Sequence, residues 1–232
     1  MAVGRKIKKN VMNILARESW EQDFTALMDE YSMQDLISPL FSGLCAPDIM
    51  VRWHSITCFG KVVSRMAEEN AAKARVVMRR IMWMLNEESG GCAWGVPEAM
   101  GEITASNQLM ADEYGRILLS YSHEEPNGPE NFLEFTTLLR GAVWGAARLA
   151  QDRQQVARQA EDDLIRFLSH PDPVIAGTAC WGLGGLRSAK SVKALEALLD
   201  NDTIIDIYKN CSLDSVTVGR LAQEALDRIS GD

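Results

Sequence analysis

The chain reads as an all-α solenoid of about five stacked helix pairs, with a small β-hairpin near its C-terminus. Three observations lead there. Look-alike segments recur: VRWHSITCFGKV from Val51, CAWGVPEAMGEI from Cys92, LLRGAVWGAARL from Leu138 and IAGTACWGLGGL from Ile175, with VGRLAQEALDRI from Val218 closing the series without a tryptophan. They align on Gly60, Gly101, Ala147, Gly184 and Asp227, spaced by 41, 46, 37 and 43 residues. That period belongs to helix pairs in which each unit buries the apolar face of its neighbour. Finally, 47% hydrophobic content in 232 residues can fill one continuous core, so a single domain, 1–232, is expected.

The elements follow in order. Residues 5–31 form an amphipathic helical cap, and 35–230 hold the repeats. Asp35 to Leu44 and Asp48 to Met66 make the first pair, split by Ala46-Pro47-Asp48 with Asp48 as N-cap. Asn70 to Glu87 is a long helix stopped by Ser89-Gly90-Gly91. The next helix starts near Cys92 and carries Pro97 in its second turn, where a proline costs a hydrogen bond and predicts a kink. Asn107 to Tyr121 supplies another outer helix, and the Pro-, Gly- and Asn-rich turn from His123 to Pro129 ends it. Helices follow at Phe132–Gln151, Val156–Leu168, Val174–Leu186 and Ser191–Leu199. Thr203–Tyr208 and Val216–Val218 have strand composition about a polar turn from Lys209 to Ser215, and the hairpin they predict would give the solenoid a polar end.

Composition narrows the function. A formal charge of −8 argues against a nucleic-acid partner, whose phosphates are neutralised by Lys and Arg. No apolar stretch approaches a membrane span. The basic N-terminus, with Arg5, Lys6, Lys8 and Lys9, is not followed by the apolar run a secretory signal needs. Five scattered cysteines without a C-x-x-C pair indicate neither a disulfide framework nor a zinc site, and a reducing cytoplasm fits them.

The stretch DPVIAGTACWGLGGL from Asp172 resembles the second helix of a HEAT repeat of the phycobilisome-lyase-like subtype, and Asp48 to Val62 is similar to it. The segment MRRIMWMLNEESGGCAWGVPEAMGEI from Met78 is similar to uncharacterised bacterial HEAT-repeat proteins. The resemblance spans roughly residues 35–230. It implies a right-handed α–α superhelix whose second helices line the concave side, and it says little about activity.

Counted back from the aligned positions, Trp53 and Trp94 lie seven before and Trp144 and Trp181 three before, one helical turn apart on one face. The predicted stripe runs Trp53, Thr57, Lys61; then Trp94, Glu98, Glu102; then Arg140, Trp144, Arg148; then Gly177, Trp181, Gly185; then Arg220, Glu224, Arg228. With the concave orientation that the resemblance implies, the stripe becomes a groove floored by indoles and rimmed by both charges, the composition of a recognition surface. Inter-repeat packing is the plain alternative for each tryptophan, and Gly95, Gly145 and Gly182 beside them serve close helix packing equally well. Glu98 and Glu102 would repel unless paired, and Arg140 and Arg148 are their expected partners. A cation site of indoles and carboxylates is the sharper reading.

Chemistry is sparse. Only His54, His123 and His170 are present, and His54 reads as a surface or helix-face residue rather than a ligand. No nucleophile constellation, phosphate loop or paired metal motif stands out. The expected function is therefore a non-enzymatic scaffold that holds a segment of a partner protein or peptide, with Trp53, Trp94, Glu98, Glu102, Arg140, Trp144, Arg148 and Trp181 as the binding residues and no cofactor. The alternative is a protein that handles a small ligand such as a tetrapyrrole stacked on the indoles.

Overall fold

The computed structural model describes residues 2–86, 94–124 and 131–231, with side chains from residue 4 onward. The expected glycine stop at Gly90-Gly91, Cys92 and most of the turn ending at Pro129 lie outside the described residues.

The elements run α1 (Ala2–Leu15), α2 (Trp20–Glu30), α3 (Met33–Leu44), α4 (Ile49–Leu85), α5 (Val96–Ser106), α6 (Gln108–Ser120), α7 (Thr136–Asp152), α8 (Gln154–Ala157), α9 (Glu161–Phe167), α10 (Pro173–Leu186), α11 (Val192–Glu196), β1 (Ile204–Lys209), β2 (Ser212–Thr217) and α12 (Val218–Ser230). The long α4 breaks at Asn70, whose φ of −161° and ψ of 92° are non-helical. Asn70 Oδ1 accepts from the amides of Ala72 and Lys73 and so caps the second half, making α4 two helices end to end. Side-chain caps start α4, α10 and α12 as well: Asp48 accepts from Met50 N at 2.8 Å, Asp172 from Val174 N at 2.9 Å and Thr217 from Arg220 N at 3.2 Å.

The first half of α4, then α5, α7, α10 and α12, pack side by side as an inner row. Glycine sets their spacing. A Cβ on Gly101 would run into the backbone of Gly145, and one on Gly182 would meet Ala147 at 3.1 Å. Gly145 and Gly182, each beside a tryptophan, thus serve helix-to-helix approach. Behind the row lies an apolar core that includes Leu40, Phe59, Met78, Ile103, Met110 and Leu183, each fully or almost fully buried.

Four local expectations are corrected. α5 begins at Val96, with Pro97 in its first turn where no amide partner is lost, so Pro97 produces no kink. The helix expected from Phe132 begins at Thr136, and the one expected over Val156–Leu168 is α8, a 3₁₀ turn and α9 in succession. His54 is buried rather than on the surface: its Nδ1 lies 2.7 Å from the Leu15 carbonyl and its ring stacks on Trp20 at 4.2 Å. It ties the N-terminal cap to the first inner helix, and burial holds it below the usual imidazole range.

Candidate functional site

The inner row presents its stripe to one surface, and the hairpin crosses that surface. β1 and β2 pair antiparallel from Ile204↔Thr217 to Lys209↔Ser212. The turn is only Asn210-Cys211, with φ of 52° and 62°, in place of the seven-residue turn the composition suggests. Two left-handed residues match the twist of a two-residue hairpin. Gly177 on α10 leaves the space that Ile205 fills, so this stripe glycine is the seat of the hairpin.

Tyr208 then lands on the indoles. Its ring stacks on Trp53 at 4.6 Å with planes 6° apart, its hydroxyl lies 3.1 Å from Thr57 Oγ1, and its carbonyl accepts from Trp144 Nε1 at 2.9 Å. Trp53 meets Trp144 at 5.0 Å and Trp144 meets Trp181 at 5.9 Å between centroids. Three of the four stripe tryptophans therefore form one ladder. The ladder is roofed: Trp144 is 4% exposed, and Trp53 and Trp181 are partly buried. An open groove floored by bare indoles was expected; the hairpin fills that part of it.

Beside the roof a cavity of about 490 Å³ remains, bounded by α4, α5, α7, α10, α12 and the hairpin tip. Glu102, Trp144, Arg148 and Trp181 line it, as do Thr57, Gln151, Asp152, Lys209, Glu224 and Arg228. Glu102, 8% exposed, takes Arg148 at 2.8 Å, and Arg148 also reaches Asp152. Burial alone would weaken the Arg148 charge; the Glu102 and Asp152 carboxylates outweigh it and raise its pKa. Lys209 pairs with Glu224 at 2.8 Å. Arg228 differs, because its hydrogen bond at 2.7 Å goes to the neutral Gln151 Oε1 and no carboxylate pairs with it among the described residues. Gln151 is itself fixed by donating to the carbonyls of Ala147 and Trp181.

Three expected site residues lie elsewhere. Trp94 is 45% exposed and precedes α5, because Gly95 takes a left-handed φ of 68° and breaks the helical spacing that would have put the indole on the stripe. Glu98 is on α5 but turns its carboxyl against Gly141, and its Oε2 is buried without a hydrogen-bond partner among the described residues. Arg140 pairs with Asp172, at 2.7 Å, rather than with Glu98. Tyr208, Lys209 and Gln151 were missed; the strand pattern ending at Tyr208 marked a hairpin, and nothing in it marked where the hairpin would dock.

Among the described residues no group of three or more His, Cys, Asp or Glu is placed to hold a metal. Among the described residues no helix is long and apolar enough to cross a membrane.

Residues 134–207 match the family model for HEAT repeats. This supports a HEAT-repeat protein. Two solved structures share the fold over almost the whole chain. A designed armadillo repeat protein in complex with the peptide (KR)4 is 16% identical, covers 96% of this chain and 99% of its own, and superposes with a TM-score of 0.51. An engineered protein from a structural genomics consortium is 15% identical, covers 97% of each chain and has a TM-score of 0.51. No curated protein sequence matches.

Proposed function

We propose that the chain is a non-catalytic repeat scaffold that captures a segment of a partner protein at the inner-row cavity. The observation that carries this is the cavity wall itself: indole edges of Trp144 and Trp181 beside a positioned arginine that has no acidic partner among the described residues. Arg228 is held in place by Gln151 but not neutralised, so an acidic side chain or a terminal carboxylate entering the cavity would complete its pairing. The aromatic wall supplies apolar area beside that charge, the usual make-up of an energetic centre in an interface. The peptide complex of the designed armadillo protein supports a segment as the class of ligand, although that peptide is basic and this cavity carries charges of both signs.

A displayed library of random peptides, selected on the purified protein, tests the reading. Recovered peptides should carry an acidic residue, and Arg228→Glu should weaken them about tenfold or more, with Trp181→Ala acting in the same direction. Peptides that bind both variants as well as the parent would count against the cavity. The volume also suits a small amphoteric ligand. A flat tetrapyrrole would first have to displace Tyr208 from the face of Trp53.

A further inference from the structure

The outer layer carries a second indentation, independent of the cavity under the hairpin. It lies between α3 and α4, across the break at Asn70, and encloses about 260 Å³. Ile37, Met66 and Val77 form its floor, and Val76 projects over it with 55% of its surface exposed. Trp83, one heptad further along the same helix, is 65% exposed and continues the apolar face. Together the two side chains set an exposed apolar strip along one face of the helix.

Charge says which partner. Lys73 and Arg80 both border the indentation, seven residues apart. That is two helical turns, or roughly 10 Å along the axis. Neither has an ion-pair partner among the described residues, whereas nearby Arg65 and Arg75 are both paired with carboxylates. The Arg80 guanidinium lies over the Phe41 ring at 3.8 Å, which fixes it at the groove end. In a chain of net charge −8 this is a local surplus of positive charge around an apolar floor. Past Lys73 the indentation runs on into a second hollow of about 240 Å³ that shares Gln34, Met66 and Lys73, so the trough is longer than a single side chain.

We infer that this trough docks an amphipathic helix of another protein, with an apolar stripe facing Val76 and two carboxylates one heptad apart reaching Lys73 and Arg80. A trough between two helices receives a rod, as in helix-in-groove recognition. A lipid surface, being flat, would engage the outermost side chains and leave the floor empty.

The test is fluorescence anisotropy with a labelled synthetic helix that carries leucines along one face and two glutamates a heptad apart beside them. A copy with lysines in place of the glutamates serves as control. Saturable binding is expected for the acidic peptide, weakened about tenfold or more by joint Lys73→Glu and Arg80→Glu substitution and by half a molar of added salt. Val76→Asp should also abolish it, while Arg228→Glu in the inner cavity should leave it unchanged. All these positions are exposed, and unfolding curves matching the parent will show that the variants are intact. Absence of saturable binding, equal binding of the lysine peptide, unchanged binding by the double variant, or stronger retention on anionic vesicles than on the peptide would each overturn the inference.

Discussion

Glu98 buries its Oε2 with no hydrogen-bond partner among the described residues. Burial pushes its carboxyl up to about 7 from an ordinary 4.5, against the pull of its own backbone amide and of Arg52. The folded chain therefore holds this proton through a pH range in which the unfolded chain has released it. Its contribution is most favourable below pH 4.5 and declines as pH rises through 7, by at most about 3 kcal/mol in total. Glu98→Gln keeps the shape of the protonated form and cannot ionise. Denaturant titrations at pH 5.5 and 8 should show the parent losing more stability between the two than the variant does, and parallel losses would place the sensitivity elsewhere. The Cys211 turn offers a second test. A non-glycine residue at φ of 62° costs about 1 kcal/mol, so Cys211→Gly should raise stability, though by somewhat less because glycine also loosens the unfolded chain.

The inner helices are held at a distance that only small residues permit. Gly101→Ala would place a methyl group into the Gly145 backbone, which cannot shift without moving α7. A loss of about 2 kcal/mol is expected in urea titration, the scale of an overpacked core. Gly4→Ala in α1, with nothing within 4 Å of the added carbon, should instead gain a few tenths of a kcal/mol or more from helix propensity. These contacts explain how much was legible beforehand. The glycine-like positions repeat because every inner helix meets the next in the same way, so the sequence period revealed the row. Helical spacing placed Trp53, Trp144 and Trp181 on one face correctly and failed for Trp94, where a left-handed Gly95 ends the regular backbone that spacing assumes. The first strand was visible in its β-branched run, whereas the second, expected at Val216–Val218, runs Ser212–Thr217 and Val218 opens α12. The tight turn between them was not legible, because Asn210 and Cys211 reach their left-handed conformations without the glycine that usually signals such a turn. The roof over the ladder depends on Tyr208 meeting side chains some 150 positions away, and a local pattern does not encode such a meeting.

Stacked repeats touch mainly their neighbours, so an ordinary solenoid transmits strain poorly from one end to the other. This chain has a shortcut. The hairpin leaves the last repeats and delivers Tyr208 to Trp53 and Thr57 in the first, while its carbonyl holds Trp144 in the middle. Three repeats are thereby tied through one residue. Tyr208→Ala should cost about 3 kcal/mol, as for other large buried rings, and shift tryptophan emission to longer wavelength by wetting Trp53. Tyr208→Phe keeps the stack and loses only the Thr57 hydrogen bond, so its cost should be nearer 1 kcal/mol. The decisive measurement is coupling between the ends. Leu36→Ala opens a cavity in α3, where Leu36 is fully buried. With Tyr208 present, that damage should lower hydrogen-exchange protection in α12 as well as in α3 and α4, because the strap makes the row unfold as one unit. With Tyr208→Ala in the same chain, α12 should keep its protection and only the N-terminal repeats should loosen. If Leu36→Ala weakens α12 equally in both backgrounds, cooperation passes along the helix stack itself, and the hairpin merely rests on it.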